Sequence, residues 1–232
     1  MLKWLKRLLG CLLLFIIIVG GIFIYQGYTK YREVIEQTPL EEKVESVYKD
    51  EDFVALADLP DVYKEAVILV EDRRFYQHFG VDFIGIGRAF INNIRAGTIV
   101  EGGSSITQQL AKNLYLENEQ KLDRKIAEVF LALNIEHHYS KQEILEMYVN
   151  TIYFGHGYYG IGEASEGYFQ KTASQLTDAE STILVGIPNA PSAYDWKKHK
   201  EKALERQKQV LDKMVKYGNL TEEEAKEMEY RE

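Results

Sequence analysis

The sequence predicts a mainly α-helical protein that begins with one transmembrane helix. An apolar run of 18 residues, from Leu8 to Tyr25, contains no charged residue. Later apolar residues recur at spacings of three and four, and no convincing series of alternating strands is visible. Helix starts are marked by capping boxes, in which a Ser or Thr and a Glu or Gln three residues later satisfy each other's backbone N–H groups. Four pairs match this pattern: Ser105 with Gln108, Ser140 with Glu143, Thr177 with Glu180, and Thr221 with Glu224.

Composition limits the chain to one core with appendages and excludes several classes of function. The chain has 232 residues, of which 46% are hydrophobic and 28% are charged, so it is too apolar for a disordered protein. Its net charge of -8 argues against nucleic acid as a partner. Cys11 is the single cysteine and lies in the apolar run, so redox and zinc chemistry have no support.

The apolar run is predicted to be an uncleaved membrane anchor. As a helix it would reach roughly 27 Å, enough to span a bilayer. The cations Lys3, Lys6 and Arg7 precede it, so the N-terminus is expected in the cytoplasm and the rest of the chain outside. A cleaved signal peptide is the alternative, but no small-x-small cleavage site follows the run.

The remaining chain is divided by composition into a stalk, a domain and a tail. Residues 26–52 are polar and acidic and are predicted to be a juxtamembrane stalk, and residues 216–232 a charged C-terminal helix. The folded domain is expected over residues 53–215. Its amphipathic helices are predicted within Val62–Val70, Ile126–Ile135, Ile144–Val149 and Leu204–Val215, with a short extended piece at Ile152–Phe154.

Glu71 is the first candidate for chemistry. It follows the apolar stretch Ala66–Val70, and a carboxylic acid in apolar surroundings tends to hold its proton at higher pH, as a general base near neutrality requires. The alternative is a surface ion pair with Arg73 or Arg74.

The segment Gly102–Asn113 is the second candidate. Its glycines let a ligand approach the backbone, and the helix that follows offers free N–H groups to an anion. Ser105, Gln108, Gln109 and Lys112 fall on one polar face, which suits phosphate and sugar oxygens. An ordinary amphipathic helix is the alternative.

A third group surrounds Glu128 with cations. Lys121, Arg124, Lys125 and Glu128 fall within about 100° of one another on the predicted next helix. Nearby cations favour the ionised carboxylate, so Glu128 is expected to organise cations or metal around a phosphate, and Glu71 to act as the base. A simple ion pair of Arg124 with Glu128 is the alternative.

Two other patterns carry little weight. Gly155–Gly160 matches GxGxxG but lacks the βαβ context of a dinucleotide site. Ser46–Lys49 matches SxxK without the companion motifs of penicilloyl serine enzymes.

Taken together, the segments resemble the peptidoglycan glycosyltransferases, glycosyltransferase family 51, found alone or fused to the transpeptidase of class A penicillin-binding proteins. The resemblance covers roughly residues 53–215. Its five motifs occur in family order at 71–82, 102–113, 124–128, 141–150 and 160–169, with a closing segment at 188–192.

The resemblance implies a lysozyme-like head and a smaller jaw that dips into the membrane. The jaw is expected at residues 83–100, where apolar side chains suit a membrane interface: Ile84, Ile86, Phe90, Ile91 and Ile94. It also implies a bacterial plasma-membrane protein with lipid II and the growing glycan strand as partners. Penicillin-binding transpeptidases and other wall-synthesis proteins are further expected partners.

The implied reaction polymerises lipid II into β-1,4 glycan and releases undecaprenyl diphosphate. By this resemblance Glu71 deprotonates the acceptor 4-hydroxyl, which attacks with inversion, and Glu128 assists at the diphosphate. A divalent cation, Mg²⁺ or Mn²⁺, is implied, with Glu128 or Asp72 as its candidate ligand. The implied substrate-binding residues are Asp72, Phe75, His78, Gly103, Ser104, Ser105, Thr107, Gln108, Gln109, Lys112, Asn113, Lys121, Arg124, Lys125 and Asn150.

Three positions depart from the family pattern. Ser104-Ser105 replaces the usual Ser-Thr, Gln120 stands where an arginine is usual, and Gln170 stands where a glycine is common. Lys121 is expected to supply the missing charge beside Gln120. Since no transpeptidase follows, the expectation is a monofunctional enzyme. A membrane-anchored lysozyme-like glycan hydrolase and a catalytically silent wall-synthesis scaffold are the alternatives.

Overall fold

The computed structural model describes residues 2–99, 101–116 and 122–231. Within these ranges the chain forms eleven α-helices and no strand, apart from one isolated antiparallel bridge between Tyr153 and Tyr159. The mainly α prediction and the short extended piece at Ile152–Phe154 are both confirmed. The helices are α1 (Leu2–Gln37), α2 (Leu40–Tyr48), α3 (Asp61–Glu71), α4 (Phe83–Ala96), α5 (Ile106–Tyr115), α6 (Leu122–His138), α7 (Lys141–Val149), α8 (Gly160–Phe169), α9 (Asp178–Gly186), α10 (Lys200–Lys216) and α11 (Glu222–Glu227).

Helix α1 contains the predicted membrane anchor. Its stretch Lys6–Gln37 is, among the described residues, the one helix long and apolar enough to cross a bilayer, and its most apolar part has no contact with the rest of the protein. The helix runs on beyond Tyr25 to Gln37, so part of the predicted stalk is helical.

The stalk prediction for residues 26–52 is wrong where the chain reaches α2. Leu40, Val44 and Val47 are buried in the same core as the rest of the domain. They recur at spacings of four and three and so line one face of α2, while the acidic Glu41 and Glu42 face solvent. The acidic composition thus belongs to the outer face of a packed helix.

The end of α1 packs on α6 through a close approach at Gly27. A Cβ atom built on Gly27 would lie 2.5 Å from Ile126 Cβ and 3.1 Å from the Asp123 carbonyl oxygen. Tyr28 and Tyr31 flank the contact and meet the Phe130 ring at centroid distances of 5.4 and 5.9 Å. Only glycine allows the two backbones to come this close.

The core lies where α5 packs on α6 and α7, and where α3 packs on α9 and α10. All four predicted capping boxes are present, at the starts of α5, α7, α9 and α11. The predicted amphipathic segments form α3, α6, α7 and α10. The largest fully buried side chains are Tyr63, Tyr148, Phe75, Phe154, Ile106, Leu110, Leu131, Ile135, Ile144, Leu145, Met147 and Ile161.

Helix α4 has the apolar exposed surface expected of the jaw. Phe83 and Phe90 are 78% and 65% exposed, and Ile84, Ile91 and Ile94 are exposed beside them. The helix ends at Gly97, whose φ of 65° suits glycine. Exposed aromatic and aliphatic side chains on one short helix suit a membrane interface.

The C-terminal tail is only partly helical, which corrects the predicted helix over 216–232. Gly218, at φ 80°, follows the end of α10, and α11 covers only Glu222–Glu227. Gln207 then holds the chain end, because its carboxamide donates to the Met228 carbonyl and accepts from the Tyr230 N–H.

Candidate active site

Glu71 is the last residue of α3 and is half-buried. Its Oε2 accepts a 2.8 Å hydrogen bond from Gln109 Nε2 on α5. The Tyr148 hydroxyl donates in turn to Gln109 Oε1 over 3.4 Å. A neutral carboxamide therefore supports this carboxylate.

Two buried tyrosines border Glu71. Burial raises the pKa of Tyr63 and that of Tyr148 well above the usual range, and the negative charge of Glu71 raises both further. Both phenols therefore stay neutral at physiological pH, and Tyr148 remains a hydrogen-bond donor.

The predicted alternative for Glu71, an ion pair with Arg73 or Arg74, is wrong. Arg74 pairs with Asp82, with Nε 3.2 Å from Oδ1. The Arg73 guanidinium lies 4.4 Å from the centroid of the ring of Tyr217, the residue that follows α10. Both arginines are thus engaged elsewhere.

The side chains of Asp72, Phe75 and His78 are buried and contact other parts of the protein, and their implied substrate-binding role stays a prediction. His78 Nε2 lies 2.8 and 3.0 Å from the two oxygens of Asp72. Asp72 Oδ2 also accepts from the Ile106 N–H at the start of α5, over 3.0 Å. Phe75 is fully buried. These residues join the end of α3 to α5.

Most of the polar face predicted on α5 also binds protein. Ser105 caps the helix, since its hydroxyl accepts the Gln108 N–H and Gln108 Oε1 accepts the Ser105 N–H. Thr107 donates a 2.6 Å hydrogen bond to Glu136 on α6. Ser105, Thr107 and Gln108 are buried, and carboxylates of α6 accept hydrogen bonds from Thr107 and Gln108. The implied substrate contacts of these three residues stay predictions.

Glu128 is almost fully buried, at 2% exposure, among polar donors. Gln108 Nε2 donates to Glu128 Oε1 over 3.3 Å, and Lys125 forms an ion pair with the same oxygen. Arg124 Nη1 lies 3.7 Å from Oε2. The predicted ion pair of Arg124 with Glu128 is present, within a larger cluster.

Lys112 connects the two carboxylates. Burial lowers the pKa of Lys112, while the charges of Glu128 and Glu71 oppose that change, and Arg124 and Lys125 add to it. The ammonium group thus feels both carboxylates and both neighbouring cations. Lys112 thus lies in the electrostatic neighbourhood of both Glu71 and Glu128, and their joint role in one catalytic site stays a prediction.

Several donors in this site lack a protein acceptor. Asn113 Nδ2 and the Nε and Nη1 atoms of Arg124 are buried and have no hydrogen-bond partner within the described ranges. Lys125 also donates to Ser104 over 2.8 Å and so ties the glycine loop to α6. Buried donors without acceptors are uncommon and suit a site that receives anionic oxygens.

The other predicted residues divide between the loop and the core. A Cβ on Gly103 would lie 3.4 Å from Ile86, so the loop rests on α4. Asn150 exchanges two 2.8 Å hydrogen bonds with the backbone of Val54, and its implied substrate contact stays a prediction. Lys121 and Gln120 lie outside the described residues.

The described residues contain no group of three His, Cys, Asp or Glu side chains placed to hold a metal ion. Glu128 is a single carboxylate whose oxygens already meet Lys125 and Arg124, and those cations would repel a divalent ion. Both oxygens of Asp72 are taken by His78 and Ile106. Neither predicted ligand fits a resident Mg²⁺ or Mn²⁺.

Sequence patterns missed one buried network beside the site. Glu136 Oε1 accepts from Lys141 and from Thr107, each over 2.6 Å, and the Lys141 ammonium lies 4.4 Å from the Phe75 ring centroid. The network fixes α5, α6 and α7 to one another. Its members come from three helices, and the lysine five residues after Glu136 was the only local signal.

The described residues combine an N-terminal apolar helix long enough to cross a membrane, an exposed apolar face on α4, and two acids, Glu71 and Glu128, in contrasting surroundings. The transglycosylase family model matches residues 36–215, most of the chain, so the protein belongs to the transglycosylase family. The match begins before residue 53, in agreement with the packing of α2 on the core.

Curated relatives are penicillin-binding proteins. Penicillin-binding protein 1F of Bacillus subtilis (strain 168) is 45% identical over 185 residues, which are 79% of this chain and 26% of the relative. Penicillin-binding protein 1A of Aquifex aeolicus (strain VF5) is 45% identical over 175 residues, 75% of this chain and 24% of the relative. The chain thus spans about a quarter of the length of these relatives. The expectation of a single activity stays a prediction.

Among solved structures, penicillin-binding protein 1A from Haemophilus influenzae aligns with a TM-score of 0.47 and 22% sequence identity. The alignment covers 78% of this chain and 17% of that chain.

Proposed function

We propose that the protein polymerises lipid II into β-1,4-linked glycan strands and releases undecaprenyl diphosphate. Membership of the transglycosylase family supports the reaction class. One observation carries the proposal: adjacent carboxamides, Gln108 and Gln109, each donate to one of two carboxylates, and Glu128, unlike Glu71, also forms ion pairs with Lys125 and Arg124 in the part of the chain that the structure describes. Such contrasting environments divide the roles of two acids in one site.

Glu71 is the general base in this proposal. It is half-buried and thus reachable, and a neutral carboxamide orients it. It takes the proton from the acceptor 4-hydroxyl as that oxygen attacks the anomeric carbon of the donor. Direct attack on the side opposite the diphosphate inverts the configuration at that carbon.

The cations around Glu128 stabilise the leaving diphosphate. Lys112, Lys125 and Arg124 supply positive charge, and the unpartnered donors of Arg124 and Asn113 supply hydrogen bonds. Placed before the reaction starts, such donors favour the charge that develops on the leaving group. Glu128 keeps these cations together and does not take a proton.

The chain's own residues do not account for a resident metal. The family's implied dependence on divalent cations is explained in this proposal by an ion that arrives on the diphosphate of the substrate. Ser104 and Gly103, in the loop between α4 and α5, are then the neighbouring groups that meet the donor.

The proposed location is the outer face of a bacterial plasma membrane. The cations before the anchor favour a cytoplasmic N-terminus, and the apolar face of α4 suits the membrane surface where a lipid-linked substrate lies. Transpeptidases and other wall-synthesis proteins are the partners that such an enzyme serves. A reporter fused after Glu232 that works only outside the membrane should be active, and activity of a cytoplasm-only reporter would contradict this orientation.

The proposal is tested with the purified full chain and labelled lipid II in detergent. Elongated glycan is the expected product, and its formation should be blocked by moenomycin, the phosphoglycolipid inhibitor that the family resemblance implies. Glu71→Gln, which keeps shape and hydrogen bonding, should abolish elongation without lowering the melting temperature. Shortening of glycan strands offered to the same protein would instead establish the hydrolase alternative. No change in either lipid II or glycan would favour the scaffold.

A further inference from the structure

Helix α10 reaches the end of α3 next to Glu71. The last carbonyl groups of a helix have no partner within the helix. One of these, the Val70 carbonyl, accepts a hydrogen bond of 3.3 Å from Lys213 Nζ. Lys213 lies 143 residues after Val70 in the chain, yet its ammonium group caps α3 one residue before the proposed base.

The position of Lys213 is unusual for a lysine. The side chain is largely buried, and burial lowers its pKa; Arg206 and Arg88 act in the same direction, whereas Glu71 and Glu101 oppose them. A lysine held in such surroundings gives up most of its hydration and rotamer freedom. The acids whose charge compensates for the burial of the Lys213 ammonium group include Glu71 itself.

A second contact joins the end of α10 to the residues after Glu71. The Arg73 guanidinium lies over the ring of Tyr217, the residue that follows α10 and is four positions after Lys213. Helix α5 holds the same corner from the opposite direction, through Gln109 on Glu71 and the Ile106 N–H on Asp72. The corner that carries Glu71 is thus clamped between α10 and α5.

We propose that Lys213 is a positioning residue for Glu71: its ammonium group caps α3 and so keeps the Glu71 side chain directed at the acceptor hydroxyl. This inference rests on the proposed function. The role is distinct from that of Lys112, which lies among the diphosphate-binding cations. It gives α10, in which the sequence indicated only an amphipathic helix, a direct part in the site.

The electrostatic field at the Glu71 carboxylate has several sources besides Lys213. Lys112 from α5 is a second cation, and Tyr63 from α3 and Tyr148 from α7 are neutral phenols. Removing Lys213 therefore weakens but does not abolish the positive field. A partial loss of turnover is expected, unlike the complete loss for Glu71→Gln.

Lys213→Met is the main test, because it keeps the apolar stem and removes only the charge and the donor. We expect kcat for lipid II polymerisation to fall roughly 10- to 100-fold, the scale of a misplaced catalytic group, while KM changes less than about twofold. Lys213→Arg should recover most of the turnover.

Lys208→Met is the matched control, since Lys208 lies on the same helix and is exposed. It should leave kcat and KM unchanged. Moenomycin binding should be retained in Lys213→Met, because the diphosphate-binding cations are intact. If Lys213→Met unfolds, Lys213→Arg and Lys213→Gln are compared instead, each assayed equally far below its own melting temperature. Equal turnover of these two variants would refute the inference.

Two results would overturn the proposal. A raised KM with unchanged kcat, or lost moenomycin binding, would make Lys213 a ligand contact. Unchanged kinetics would make it a structural cap only. Absence of polymerisation by the wild-type chain would instead contradict the proposed function, so the two failures are distinguishable.

Discussion

Gln109 on α5 donates a 2.8 Å hydrogen bond to Glu71 at the end of α3, across 38 positions of sequence. Its neighbour Gln108 donates to Glu128 on α6. One turn of helix therefore sets the positions of both carboxylates. Since Gln108 also closes the capping box at the start of α5, the same residue that begins this helix holds the Glu128 cluster.

Gln109→Leu should remove the neutral support of Glu71 without introducing charge. We expect kcat to fall about 10- to 100-fold, because a carboxylate without its orienting donor samples unproductive positions. Moenomycin binding should stay within about twofold of wild type, since the cations around Glu128 remain. Turnover of labelled lipid II and inhibitor titration measure the two effects. Wild-type turnover in the folded variant would show that Gln109 does not orient Glu71.

Local signals predicted the helices well, because each depends on residues close in sequence. The capping boxes of Ser105, Ser140, Thr177 and Thr221 all form. The stalk prediction was wrong because composition was averaged over residues 26–52, whereas Leu40, Val44 and Val47 carried the helical period. Periodicity was the better guide there.

The motifs did select residues whose charges act on one another in the structure, such as Lys112 with Glu71 and Glu128, and the roles assigned to them stay predictions. Sequence alone did not separate residues that face the site from those that hold it together, such as Asp72 with His78. That distinction depends on which helix covers which face, a tertiary property.

Glu128→Gln should cause a severe loss of polymerisation together with a loss of stability. The variant leaves Arg124, Lys125 and Lys112 without their buried counter-charge, and breaking such a cluster costs on the order of 3 kcal/mol. Melting temperature and turnover should therefore fall together, and moenomycin binding should weaken. The limb of the pH–rate profile assigned to the base should persist. Its disappearance here and persistence in Glu71→Gln would reverse the two roles.

Gly27→Val should disturb the site indirectly, by displacing α6 where it packs on α1. A valine Cβ would overlap Ile126 on α6, the helix that carries Glu128, and overpacking of this kind costs roughly 1–3 kcal/mol. We expect a lower melting temperature and reduced turnover. Gly21→Val is the matched control, because a Cβ there meets nothing within 4 Å. Adding Ile126→Ala to Gly27→Val should restore part of both losses, and a failure to do so would locate the effect elsewhere.

Gln170→Gly should stabilise the protein. Gln170 ends α8 with φ 54° and ψ 41°, a left-handed conformation that costs a non-glycine residue about 1 kcal/mol. The family commonly has glycine here, and the geometry explains why. The Gln170 side chain is exposed, and its only recorded hydrogen bond, to the Tyr168 carbonyl, is a long 3.5 Å. Little is therefore lost on its removal.

The expected gain from Gln170→Gly is about 1 kcal/mol in the free energy of unfolding. Denaturant unfolding of the full chain in detergent measures it. Gly97→Ala supplies the opposite comparison, since Gly97 ends α4 at φ 65° with open space around it and its replacement should cost a similar amount. Polymerisation should be unchanged by Gln170→Gly, because α8 contributes no residue to the candidate site. The contrary outcome is a Gln170→Gly variant that is less stable than wild type while Gly97→Ala is also destabilised. The Gln170 carboxamide would then contribute more to the free energy of unfolding than its left-handed backbone costs.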